Sequence, residues 1–361
     1  MTPVEIVRQR LVNSHLAGGT AASAAEVVRR LCAVQSQDYA AATWAVAQRT
    51  DGVTQKEMDA LLEEGVILRT HVLRPTWHFV LPEDIRWLLR LTAPQVKAAM
   101  ASTNRTLGLD DRVFAESNAI LAGVLRGGGR VVRRELVEAY GQGGIDAGGI
   151  RLAHLLMRAE LDGVLCSGGL RGRQFTYALL DERIPPTGPV DIEEPLARLA
   201  TRYLAGHGPA RTADLAWWSG LTMRQAQRGI DLAAGSLITM TVDRRDYHRA
   251  ADAAAAPART GALVSLVPNY DEYLVGYRDR TLHLGPSAAV PATRLGLLGS
   301  SVVLDGHVVG TWRSRLEAGE ARVEADLDVP LTLSQRAALQ AQTDRYGRFL
   351  GRPAALSIPS A

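Results

Sequence analysis

Apolar residues at Ala24, Val27, Val28, Leu31 and Val34 recur at the spacing of one helix face. A polar-faced helix over Glu5 to Leu11 precedes this stripe, and a short one over Ala41 to Gln48 follows it. Thr54-Gln55-Lys56-Glu57 is a capping box, opening a helix that runs to about Glu64 and stops at Gly65. Ile67 to Leu73 and Thr76 to Leu81 are β-branched and aromatic runs around Arg74-Pro75, which predicts a strand pair.

The same order returns twice. Helices are predicted from Asp111 to about Leu125, over Val131 to Tyr140 and over Ile150 to Leu161, then strands at Val164 to Cys166 and Phe175 to Leu179. Ser167 to Arg173 between those strands reads as too long and too polar for a tight hairpin. Pro185, Pro186, Gly188 and Pro189 read as a linker. In the third round, helices over Pro195 to Leu204 and Arg211 to Trp218 lead into the turn Ser219-Gly220-Leu221. Thr222 caps a further helix to about Leu232, and strands follow at Ser236 to Val242 and Tyr247 to Ala251. That helix–turn–helix has the length and central glycine of a DNA-reading unit. Each round is thus a helix–turn–helix with a β-hairpin wing, an internal repeat at the level of elements.

After an alanine-rich spacer, Ala250 to Ala258, the character changes. Strands are predicted at Ala262 to Val267, Val302 to Leu304, His307 to Trp312 and Ala321 to Leu327, with Asp305-Gly306 as a type I′ turn and Leu333 to Leu350 as a closing helix. The expected architecture is α+β, in four parts: residues 1–110, 111–190 and 191–260 as three tandem winged helix–turn–helix units, and 261–361 as a β-rich domain closed by a helix.

At 361 residues, 47% hydrophobic and 22% charged, the composition is that of an ordinary globular protein. The net charge of +3 does not by itself require a nucleic-acid partner. Lys56 and Lys97 are the only lysines among 41 basic residues, so 39 are arginine. Arginine suits phosphate and guanine recognition, and a GC-rich genome accounts for the same bias. The N-terminus reads as a polar helix, not an apolar signal core, and no apolar run approaches the ~20 residues of a membrane span. Two distant cysteines, Cys32 and Cys166, read as core residues of a reducing compartment. The expectation is a cytoplasmic protein.

The eight histidines form no metal-ligand pair at helical spacing, and no glycine-rich loop followed by lysine offers a phosphate cradle. No metal or other cofactor is expected. The chemistry then falls on Gln35-Ser36-Gln37-Asp38 at the end of the first strong helix. Read alone, these are polar residues where a helix frays. In an extended exit, Gln35 and Gln37 share one face. Glutamine is neither acid nor base at neutral pH, but its carbonyl can hold a water and face developing positive charge. Asp38 reads as a local backbone cap, with catalytic support as the second reading. A helix C-terminus just before Gln35 would add about 0.5–1 kcal/mol of favourable potential for a cation.

Arg69, His71 and Arg74 in the first hairpin, Arg171 and Arg173 in the second and Arg244 and Arg245 in the third are candidate phosphate contacts; solvated wing charge is the alternative. Tyr270-Asp271-Glu272-Tyr273 with Arg278 and Arg280 reads as a loop pinned to a core, with DNA contact by the two arginines as the second reading. Trp77, Trp217, Trp218 and Trp312 read as core.

Taken in order, Gln35-Ser36-Gln37, Leu73-Arg74-Pro75-Thr76-Trp77-His78-Phe79, Tyr270 to Tyr273, Tyr277-Arg278-Asp279-Arg280 and Gly310-Thr311-Trp312-Arg313 resemble one family over essentially the whole chain. It is the winged-helix DNA glycosylases typified by the azinomycin B resistance enzyme AlkZ and the bacterial YcaQ enzymes. The Gln-x-Gln places the resemblance on the AlkZ side, since YcaQ-type members carry aspartate at the second position. The resemblance implies a C-shaped molecule whose winged helices line a concave face for double-stranded DNA. It also implies excision of N7-alkylguanine and unhooking of N7-linked interstrand crosslinks, with Gln35 and Gln37 as the catalytic pair. Without a lysine near that pair, the expected product is an abasic site with no strand cleavage, and the expected state is a monomer. A non-enzymatic DNA-binding regulator or drug-sequestering factor is the alternative.

Overall fold

The structure is a computed structural model that describes residues 1–186, 188, 191–256, 261–284, 299–317 and 319–359. Pro189 of the expected linker and Pro257 and Ala258 of the alanine-rich spacer lie outside the described residues. The chain divides into two compact units: residues 1–58, 196–218 and 222–361 form one, and residues 59–195 with 219–221 form the other.

In the first unit, helix Pro3–Asn13 opens with Thr2 and Glu5 in a reciprocal capping box. Helix Ala24–Leu31 buries Ala24, Val27, Val28 and Leu31, the stripe read from the sequence. Helices Glu193–His207, Thr212–Ser219 and Met223–Leu232 make the third round, the last capped by Thr222 and Gln225. Strands Leu237–Val242 and Arg245–Ala250 then pair in register from Val242↔Arg245. Asp243 and Arg244 between them both have positive φ, 49° and 60°, the geometry of a two-residue type I′ turn.

The C-terminal part of this unit is a five-stranded sheet in the order Ala354–Ser357, Glu320–Leu327, His307–Glu317, Ser301–Leu304, Val264–Val267. Asp305 and Gly306 make its second type I′ turn, with φ of 54° and 91°. Helix Leu333–Leu350 has the predicted bounds. The strand after it, Ala354–Ser357, pairs in parallel with Glu320–Leu327 and was not expected, because four residues of low polarity carry no alternation. Trp312 is buried and donates its indole N–H to the Val267 carbonyl at 2.9 Å.

The second unit has helices Asp111–Leu125 and Ile150–Leu161 where the patterns place them. Its core gathers Phe114, Leu121, Leu125, Leu136, Tyr140, Leu155, Leu156 and Ala159. Three expectations need correction. Val131 and Val132 are strand, paired with Tyr177 and Thr176, and the helix is Arg133–Gln142. The segment after Cys166 is a tight hairpin after all: strand Leu165–Arg171 pairs with Gln174–Leu179 as far as Arg171↔Gln174. A register shift between Ser167 and Gly169 absorbs the extra residue, and Gly169 takes a φ of 96° there that a side chain resists. Finally, a 25-residue helix, Pro82–Thr106, fills a stretch to which the patterns assign no element. Pro94 sits inside it and disguises it as a break.

Candidate active site

Helix Ala24–Leu31 ends at Cys32, whose φ of 68° and ψ of −45° leave the helical region. The backbone then runs extended through the two-residue strand Val34–Gln35. Gln35 is therefore on an extended exit, not in a frayed turn. The helix stops four residues short of it, so a dipole effect confined to the last turn is weaker there than expected. Gln35 is buried and Gln37 is exposed.

What holds this exit is a carboxylate far along the chain. The Gln35 amide N–H donates to Glu272 Oε1 at 2.8 Å. The Trp218 indole N–H donates to Glu272 Oε2 at 2.7 Å, and His207 Nε2 lies 3.2 Å from the same oxygen. His207 Nδ1 faces the Tyr203 carbonyl at 3.2 Å, and its ring stacks on Tyr203 with centroids 4.8 Å apart. Both ring nitrogens thus meet oxygen acceptors, and Glu272 and His207 are each 1% exposed. Burial of this kind holds only if the charge is paired and hydrogen-bonded. Sequence reading passed over Glu272, although it sits inside a motif that the reading quoted. Its neighbours are 54, 65 and 237 residues away, a distance no local pattern reports.

The next residue back braces the same element. Asp271 caps helix Glu272–Val275 and accepts the Tyr273 amide N–H at 2.8 Å. Its carboxylate takes two bonds from Arg49, at 2.8 and 2.7 Å, with both side chains fully buried. Arg49 also donates to the carbonyls of Ser14 and Ala45. Tyr273 and Tyr277 donate their hydroxyls to the carbonyls of Gly306 and His207. Burial raises the pKa of both phenols, so they stay protonated donors. The Tyr270-to-Arg280 segment is therefore pinned to the core, the first of its two readings.

Asp38 caps helix Tyr39–Ala47 by accepting the Ala41 amide N–H at 3.1 Å, and its other oxygen accepts from Asn269 Nδ2 at 3.1 Å. Trp44, on that helix, donates to the Leu266 carbonyl at 2.8 Å and packs against Tyr346. Both ends of the Gln-Ser-Gln-Asp stretch are thereby anchored within one unit. Cys166, in the other unit, is no nucleophile: burial pushes its thiol up to about 12.

The candidate phosphate contacts sort by exposure. Arg171, Arg173, Arg244, Arg245 and Arg278 are exposed, while Arg74 and Arg280 are half-buried. Arg171 pairs with Glu135 at 2.6 Å, and Arg245 with Asp279 at 3.0 Å. Arg69 and His71 are interior instead. Arg69 is 6% exposed, with its guanidinium over the rings of Trp77 and Phe175. His71 is buried against Glu160, which also accepts the His71 amide N–H at 3.0 Å. Alternation along a four-residue strand could not tell them from outward-facing residues. Among the tryptophans, Trp218 and Trp312 are buried as expected and Trp77 is half-buried, but Trp217 is 42% exposed.

The model of the AlkZ-like DNA glycosylases matches residues 28–349. The chain belongs to that family. It is 26% identical over 335 residues to a Streptomyces sahachiroi protein named interstrand DNA cross-link repair glycosylase, covering 85% of this chain and 86% of that one. The solved structure of the Streptomyces sahachiroi DNA glycosylase AlkZ superposes with a TM-score of 0.79 at 24% identity, over 99% of this chain and 100% of that one. The mixed α+β fold of this AlkZ-like chain is that of the solved structure. Among the described residues, no helix is long and apolar enough to cross a membrane.

Proposed function

We propose that this AlkZ-like glycosylase hydrolyses the N-glycosidic bond of N7-alkylguanine in double-stranded DNA, including guanines tied into interstrand crosslinks, and leaves an abasic site. The observation that carries the reading is the clamped exit. Gln35 hangs by its backbone N–H from the buried Glu272, and the exposed Gln37 stands two residues on. Family membership supports the reaction class, and the relative named for interstrand crosslink repair supports crosslinked DNA as a substrate.

The chemistry fits amide side chains. N7-alkylguanine already carries a positive charge, so the electron pair of the breaking C1′–N9 bond neutralises the base as it leaves. No general acid is needed. Positive charge passes to the sugar, where the carbonyl dipoles of Gln35 and Gln37 stabilise it and aim a water at C1′. The water oxygen bonds to C1′ and its proton is lost to solvent. Preorganised dipoles of this kind contribute on the order of 3 kcal/mol each. Asp38 supports the site as a brace, because both of its oxygens hold neighbouring groups. Glu272 is a positioning residue, acting through the Gln35 backbone. The three helical rounds act as winged-helix units on the DNA, with Arg171, Arg173, Arg244, Arg245 and Arg278 as the exposed cations. The protein works as a monomer without a cofactor.

The test is base release from a duplex bearing N7-methylguanine or an N7-linked crosslink, read by cleavage of the product in hot alkali. Breaks at the modified guanine support a glycosylase. Protection without breaks would assign the chain to the binding proteins.

A further inference from the structure

Two adjacent tryptophans on helix Thr212–Ser219 have opposite surroundings. Trp218 is fully buried and donates to Glu272, whereas Trp217, about 100° further round the helix, is 42% exposed. Its ring is accompanied by charge. The Arg280 guanidinium lies over it, 5.8 Å from the ring centroid. Arg280 Nε donates to the Leu274 carbonyl at 2.9 Å, on the short helix that carries Glu272. One residue before Arg280, Asp279 gathers Arg245 at 3.0 Å and Arg211 at 3.7 Å. Buried Asp214, three residues before Trp217, accepts the amide N–H groups of Arg278 and Asp279. Two guanidinium groups thus share the Asp279 carboxylate and a third stands beside the ring, so positive charge accompanies the exposed indole.

An exposed aromatic face within a cationic surface is the composition of a nucleobase platform, where a base stacks and guanidiniums hold the flanking phosphates. An intact duplex presents only base edges in its grooves. A flat indole therefore has a partner only where a base has left the stack. We propose that Trp217 is a stacking subsite for an unpaired nucleobase of the DNA, with Arg245 and Arg278 on the flanking phosphates and Arg280 beside the ring. Trp218, the next residue in the chain, donates to Glu272, which also holds the Gln35 backbone N–H. The inference rests on DNA as the partner and not on the catalytic role of the glutamines.

The experiment uses unmodified DNA, from which no base is released, so its outcome is separate from that of the catalytic reading. Fluorescence anisotropy compares a labelled, fully paired duplex with the same duplex carrying one unpaired adenine, for the full-length wild type, Trp217→Ala and Trp217→Phe. The wild type binds the bulged duplex roughly tenfold more tightly, the worth of one stacked base. Trp217→Ala binds the two duplexes equally, Trp217→Phe keeps most of the preference, and both variants melt as the wild type does. A wild type with no preference overturns the proposal, as does a Trp217→Ala protein that keeps it. An equal loss in Trp217→Phe and Trp217→Ala also counts against stacking.

Discussion

Replacing Glu272 with glutamine tests how the site is held. The amide keeps one acceptor oxygen for the Gln35 N–H, now 2.8 Å from Glu272 Oε1. Its NH2 group turns towards the Trp218 indole N–H at 2.7 Å, with the His207 ring 3.2 Å from the same position. Leaving the Trp218 N–H without an acceptor costs about 1–3 kcal/mol, and the folded state loses stability by that amount. The local repulsion also shifts the residue from which Gln35 hangs. A displacement of about 1 Å at a reacting centre costs roughly a hundredfold in rate, so a partial shift predicts a fall of about ten- to a hundredfold. Single-turnover release of N7-methylguanine measures the rate, and anisotropy with the same duplex measures affinity. The expected result is a slower rate at saturating protein, a lower melting temperature and a dissociation constant within about threefold of wild type. Glu272→Asp, which keeps the charge but shortens the reach, falls between the two. An unchanged rate in Glu272→Gln refutes the positioning role, and so does a loss of rate wholly explained by weaker binding.

Arg49→Met leaves the Asp271 carboxylate buried without its two bonds, and loss of one partner of a buried pair costs about 3–5 kcal/mol; urea unfolding should show that loss, and a stability equal to wild type would contradict the bracing role. His78 and His283 are fully buried, and desolvation holds both well below the ordinary histidine value. Each binds more proton unfolded than folded, so stability is complete above about pH 6.5 and falls as the pH drops below it, by up to ~1.4 kcal/mol per pH unit per histidine. The urea midpoint should therefore be lower at pH 5.5 than at pH 7, with a smaller drop in His283→Phe. DNA affinity should fall with salt at about −0.9 per phosphate neutralised, and Arg244→Ser with Arg245→Ser should flatten that slope by one to two; an unchanged slope would remove the third wing from the interface.

Local rules made much of the fold legible. Thr54 and Thr222 cap their helices through their side chains, and the caps place the N-termini almost to the residue. Asp305-Gly306 announces its turn because two positive φ angles in succession suit few other pairs. The failures share a cause in tertiary context. Helix Pro82–Thr106 continues through Pro94. The second hairpin hides behind a glycine register shift. Trp217 and Trp218 are identical letters on one helix, and only packing tells the exposed ring from the buried one. At the site, the two glutamines and the capping aspartate are visible in sequence because they lie together. Glu272 is not, because the bond that gives it meaning spans 237 residues.

The central claim is that Gln35 and Gln37 act on the sugar and leave the grip on DNA to other residues. Gln37→Ala is its most direct test, since Gln37 is exposed and its truncation leaves the anchors of Gln35 and Asp38 in place. Single-turnover release of N7-methylguanine should fall by about a hundredfold or more, on the order of 3 kcal/mol, while the dissociation constant for the same duplex stays within about threefold. Base release at the wild-type rate, or a loss of binding equal to the loss of rate, would contradict the account.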